Sequence, residues 1–196
     1  MKKARGVFGL FVVGVAAAAC GGSTTGGGTA TVSGSVGGQS VPVVDSIGVS
    51  GTETVMGVSV STAAVFITNV ANTCSVLQNH HDPGSTTSLS LEVIQLGTSV
   101  APGTYTITNG ATPTGETEAT YFATNASCET VTNTNALTGS ITLTAVSSTS
   151  VQGTFDVTLA SGDHLTGSFD APVCESAAAL EGMIASDGGV SEVCGS

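Results

Sequence analysis

Three short stretches carry side chains able to do chemistry: "NHHDPG" at 79–84, "PTGETEA" at 113–119 and "GDHL" at 162–165. His80, His81 and Asp82 are metal-ligand types in a row, but neighbours on an extended chain point to opposite sides. Pro83-Gly84 after them reads as the end of a polar turn. Glu116 and Glu118 stand two apart on one segment, whereas glycosidase carboxylates come from separate strands around an aromatic-lined cleft. Beyond residue 20 the aromatics are only Tyr105, Tyr121, Phe66, Phe122, Phe155 and Phe169, with no Trp, so a sugar-stacking platform is poorly supplied. His164 reads as a polar-face residue beside Asp156 and Asp170, opposite Ala160, which makes no catalytic dyad. The chain contains no G-x-S-x-G elbow, EF-hand loop or nucleotide fingerprint. These readings assign no catalytic, cofactor-binding or metal-ligating residue and no cofactor, and the expectation is that the protein is not an enzyme.

Sulfur is better placed for structure and anchoring. Lys2, Lys3 and Arg5 precede an apolar run from Val7 to Ala19, which fits an export signal and is shorter than the ~20 residues of a membrane span. Ala17-Ala18-Ala19-Cys20 is similar to a bacterial lipobox, with Ala17 in place of the usual Leu. Residues 1–19 are therefore expected to be a lipoprotein signal peptide, with Cys20 acylated at the new N-terminus. Acyl chains on Cys20 anchor the protein to a membrane. Gly21, rather than Asp, follows that cysteine, which points to the outer membrane or cell surface rather than the inner membrane. Cys74, Cys128, Cys174 and Cys194 remain, an even number in an exported chain, and read as two disulfides. Cys74–Cys128 with Cys174–Cys194 is the favoured pairing, because the second bond closes a local C-terminal loop.

Charge narrows the partners. The sequence holds 14 Asp and Glu against 3 Lys and Arg, and all three cations lie upstream of Cys20. Without Lys or Arg the processed chain has nothing to neutralise phosphates, so nucleic acid is excluded, as is electrostatic capture of anionic lipid or polysaccharide.

The elements that must hold these residues read as β throughout. Residues 20–29 form a lipidated and Gly-rich tether, and residues 30–196 form one β-domain rich in Thr (30 in the chain) and Ser (24), which suit solvent-facing strand positions. Period-two alternation predicts strands at 30–36, 41–50, 54–61, 63–70, 88–96, 103–109, 119–125, 138–146, 150–160 and 164–171. An all-β antiparallel sandwich or barrel of about 8–10 short strands follows, with a short helix at Glu175 to Ala185 as the only helical segment.

The clearest segment is Leu137 to Cys174, a three-stranded meander. Its apolar sets pair if Ala145 faces Val151, Leu159 faces Leu165 and Phe155 faces Phe169, with turns at Ser147–Thr149 and Ser161–Asp163. Gly162 is expected at a positive-φ turn position, and Gly153 and Gly167 are inward-facing points of close packing.

Thr73-Cys74-Ser75, the glycine-rich stretch after Cys20 and the meander "GTFDVTLASGDHLTGSFDAPVC" resemble small envelope lipoproteins of myxobacterial type. The resemblance implies a cell-envelope location and brings no activity or catalytic residues. The function expected is a lipid-anchored, non-enzymatic binding or structural β-domain. The alternative is a lipid-anchored carrier holding a small apolar ligand in a barrel cavity, with a hydrolase or metal-binding protein behind it.

Overall fold

The computed structural model describes residues 27–79, 81–108, 110–174 and 193–194. Its elements run β1 (Thr29–Val36), β2 (Gln39–Ser40), β3 (Asp45–Val55), β4 (Val58–Thr68), α1 (Thr73–Gln78), β5 (His81–Asp82) and β6 (Thr87–Leu96). They continue β7 (Gly103–Thr106), β8 (Gly115–Thr124), β9 (Thr130–Val146), β10 (Ser150–Leu159), β11 (His164–Pro172) and β12 (Val193–Cys194). The protein is all-β. One antiparallel sheet, ordered β2-β1-β11-β10-β9-β8-β6-β4-β3, curls into a half-barrel, and β7 also pairs with β9.

The long strand β9 makes the curl. Its first part pairs with β8 and its later part with β7, while β10 runs along its other side. Two halves thereby face each other: β1-β11-β10-β9-β7 on one side and β3-β4-β6-β8 on the other. The inward set of each strand meets in one core, including Val65, Leu89, Leu91, Ile141, Val157, Leu159 and Leu165, all at most 2% exposed. Main-chain bonds tie the edges where the halves approach, from Gly28 N to Ser46 O (2.9 Å) and from Cys174 N to Gly48 O (2.9 Å).

The meander forms with its predicted faces and different partners. Between β10 and β11 the observed pairs are Val157–Leu165, Phe155–Gly167 and Gly153–Phe169, two residues from the expected register. A slip of two keeps every inward side chain inward, so alternation alone cannot detect it. The slip serves packing: a β-carbon on Gly153 would lie 2.8 Å from Phe169 Cζ, and one on Gly167 would lie 2.6 Å from Phe155 Cζ. Each ring occupies the space above the neighbouring strand's glycine. Gly162 takes φ 88° in the turn, as the sequence requires. At the other turn Val146, not Ala145, faces Val151, and a bulge restores the expected register from Gly153 onward.

The strands expected at 54–61 and 63–70 are one strand, β4, preceded by a tight turn at Met56-Gly57. Helix α1 falls outside every strand and helix that the sequence pattern predicts, and the expected Glu175 to Ala185 helix lies outside the described residues, as do the signal segment and Cys20.

Two disulfides are present, but their pairing corrects the sequence expectation. Cys74 bonds Cys174, with Cα atoms 5.7 Å apart and a sequence separation of 100, and Cys128 bonds Cys194, at 5.8 Å and a separation of 66. Sequence proximity misleads because β11 exits beside β3, where α1 also lies. There Cys74 and Cys174 join Ile47, Phe66 and Leu77 in a small second cluster on the outside of the sheet.

Candidate functional site

The outer face of β3-β4-β6-β8 gathers Glu53, Glu92, Glu116 and Glu118. Strand β8 sends Thr117 and Ala119 inward, so Glu116 and Glu118 both face out. Strand β6 alternates likewise, sending Leu91 and Val93 inward and Glu92 outward. Pairing sets Glu92 directly opposite Glu118 and Ile94 opposite Glu116. Glu116 and Glu118, set aside as a catalytic pair on sequence grounds, thus acquire a third carboxylate as neighbour in Glu92. Glu92 was visible as the one acid in "TSLSLEVIQL", but its neighbour could not be named without knowing that β7 is skipped and β8 pairs with β6.

Burial, a hydrogen bond to Glu116 and the charges of Glu116 and Glu92 raise the Glu118 carboxyl to about 7. Burial, and then the charge of Glu116, raise Glu92 as well. A hydrogen bond between two carboxyl groups requires a proton on one of them, so the cluster holds a proton near neutrality. No Lys or Arg follows Arg5 to supply a countercharge. Among the described residues no group of His, Cys, Asp and Glu is arranged to hold a metal ion.

Beyond the carboxylates the same face turns aliphatic. Val60 lies opposite Leu96 and Val55 opposite Val58 at the end of the β3–β4 hairpin. Met56 at its tip is 89% exposed. On the other side of the β3 edge, an open groove of about 260 Å³ runs between Ser50, Thr52, Ser61, Val100 and Ser147. Its hydroxyls are already engaged: Ser50 Oγ donates to Ser147 O (2.6 Å), and Ser61 Oγ accepts from Val100 N (3.0 Å).

The remaining sequence candidates are scattered. The main chain of His81 and Asp82 forms β5, paired in parallel with β12, while His80 and the side chains of His81 and Asp82 lie outside the described residues. His164 corrects its expectation. The two-residue slip sets Thr158, not Ala160, opposite it and brings its Nε2 to 2.7 Å from Asp156 Oδ1. The pair stands in solvent, at 56% and 68% side-chain exposure. Asp163 turns elsewhere, accepting from the Ser161 hydroxyl and the Gly37 amide, which hold its carboxyl below the usual range.

One buried acid lies apart from these. Asp45, 2% exposed, accepts from the Thr73 amide through Oδ2 (2.8 Å) and so caps α1 from a neighbouring strand, since the Asn72 side chain makes no capping bond. Its Oδ1 and the Ser46 hydroxyl have no partner among the described residues. Comparison with known protein families, with curated proteins and with solved structures finds no match to this chain.

Proposed function

We propose that the protein is a lipid-anchored, non-enzymatic binding domain of the cell envelope, acylated at Cys20 and displayed on the tether that follows it. The observation carrying this reading over the carrier alternative is the filled interior. Side chains from both halves, among them Phe155, Phe169, Leu91 and Ile141, occupy the space where a barrel carrier would hold its ligand. A domain with its interior filled works through its outer surface, and here that surface divides into a hydroxyl-covered half and an acidic, aliphatic half. Two disulfides closing long loops support the exported setting. The same lipobox reading places the protein at the outer membrane or cell surface.

Replacing Cys20 tests the anchor. Cys20→Ala is expected to move the protein from the membrane to the soluble fraction and to abolish metabolic labelling with a palmitate analogue. Unchanged fractionation overturns the reading.

A further inference from the structure

The two disulfides differ in what surrounds them and in what they hold. Cys174 is 5% exposed, packs with Cys74 among Ile47, Phe66 and Leu77, and donates its amide to Gly48 O at 2.9 Å. Exchange requires a thiolate to reach one sulfur of the bond, and the packing around Cys174 obstructs that approach. Cys194, by contrast, is exposed. Its partner Cys128 ends the stretch "NASC" with a φ of 59°, a left-handed backbone that strains a residue with a β-carbon. A local turn imposes that conformation. Asn125 O accepts from the Cys128 amide (3.0 Å), and Asn125 Oδ1 accepts from the amides of Ser127 (2.8 Å) and Glu129 (3.0 Å). All of these bonds lie within residues 125–129, so the place of Cys128 does not depend on its disulfide.

The element held by the second bond is small. Cys194 lies on β12, whose two residues pair in parallel with the two residues of β5. These strands form a sheet of their own, apart from the ten-stranded one. A pair of that length makes too few main-chain bonds to persist by itself.

We infer that Cys128–Cys194 is a thiol–disulfide exchange site, opened by a dithiol while the protein stays folded, and that opening it releases β12 from β5. The attacking thiolate bonds the exposed Cys194 at Sγ, and Cys128 Sγ leaves with the electron pair of the broken bond and takes up a proton. The attacker's second thiol, on losing its proton, displaces Cys194 Sγ, which takes up a proton in turn. The dithiol gives up two electrons and two protons and becomes a disulfide, and the protein gains two thiols. Cys128 stays presented by its turn, so oxidation re-forms the same bond. The inference goes beyond the binding-domain reading and holds whether or not Cys20 is acylated.

The test uses the whole processed chain with Cys20→Ala, which leaves Cys74, Cys128, Cys174 and Cys194 as its cysteines. The probe is dithiothreitol without denaturant, with iodoacetamide trapping thiols at intervals and mass mapping of the labelled residues. Cys128 and Cys194 are expected to take the label about tenfold faster than Cys74 and Cys174, with the far-ultraviolet circular dichroism unchanged. Equal rates, or earlier labelling of Cys74 and Cys174, overturn the assignment. So does labelling that appears only as the spectrum collapses, because reduction then follows unfolding.

Hydrogen exchange reads the release of β12. With this one bond open, the amides of His81 and Asp82 are expected to exchange about tenfold faster than in the oxidised protein, and those of Leu89 and Leu91 at an unchanged rate. Unchanged exchange at His81 and Asp82 overturns the release. Cys128→Ser with Cys194→Ser is expected to give the same pattern without reductant, and faster exchange throughout overturns the claim that the fold stands without this bond. Replacing dithiothreitol by oxidised glutathione is expected to restore Cys128–Cys194, and a bond from Cys128 to Cys74 or Cys174 overturns the role given to the turn. None of these outcomes bears on fractionation of Cys20→Ala, so the exchange site and the anchor fail separately.

Discussion

The two outward faces of this sheet are built from the same Val/Thr alternation and have opposite characters. Across β1, β11, β10, β9 and β7 a rank of hydroxyls runs Thr31–Ser168–Thr154–Thr142–Thr104, each opposite the next. Its members bond one another, Thr31 to Ser168 at 2.9 Å and Thr104 to Thr142 at 3.0 Å. The facing half sets Glu92 against Glu118 and leaves aliphatics at its far end. Hydroxyls need no counterion and suit exposed strand positions, whereas like charges directly opposite weaken a sheet. The first face is what folding alone would select. The second carries a cost to folding.

That contrast can be broken first at the core beneath the hydroxyl face. Phe169 fills the space over Gly153 and is 4% exposed, so its neighbours cannot collapse into the void left by its ring. Phe169→Ala is expected to lower unfolding free energy by about 3–5 kcal/mol in urea titration. Val58→Ala, at the exposed end of the acidic face, is expected to change it by no more than ~0.5 kcal/mol. Comparable losses from the two would remove the division of labour, since the aliphatic tip would then be holding the fold.

What could be seen in the sequence follows the same division. The meander from Leu137 to Cys174 showed its faces because alternation is unbroken there, and Gly153, Gly162 and Gly167 announced close packing and a turn. Its partners stayed hidden, because a two-residue slip changes no face. That slip is also why the contact between His164 and Asp156 was invisible. On the acidic half, Glu116 and Glu118 were visible, but Glu92 became their neighbour only through a pairing that passes over β7. The cysteine pairing depended on α1, a helix of one and a half turns too short to leave a periodic signal. Contacts set by strand order and by short irregular elements do not reside in local pattern.

Protonation sharpens the comparison further. Glu118 holds its proton up to about 7 in the fold, against an ordinary value of 4.5. A carboxyl that is harder to ionise when folded contributes its full stabilisation below the lower value and loses it as pH rises through the upper one. Stability is therefore expected to fall between pH 4.5 and about 7 and then to level off. Glu118→Gln removes much of this slope. At pH 8 the variant is expected to exceed the parent by ~1 kcal/mol, a figure kept small because Glu118 retains solvent contact. A parent protein equally stable at pH 5 and pH 8 would show that the cluster carries no strain.

The smallest effect is expected on the hydroxyl face, at the contact between His164 and Asp156. His164 and Asp156 stand diagonally on neighbouring strands, 2.7 Å apart, and both are mostly in solvent. Holding two side chains in one geometry offsets most of what an exposed pair gains, and salt screens the remainder. Asp156→Asn is expected to change stability by less than ~0.5 kcal/mol at any pH from 5 to 8, read from matched urea midpoints. Asn keeps an acceptor for the His164 ring, so the variant removes charge and spares the hydrogen bond. A loss above ~1 kcal/mol would mean that this half, too, depends on charge, because a neutral bond in solvent cannot supply that much. With a small value, the hydroxyl half is held by its glycine–phenylalanine packing, and the carboxyls that the fold makes harder to ionise lie on the other half, at Glu92 and Glu118.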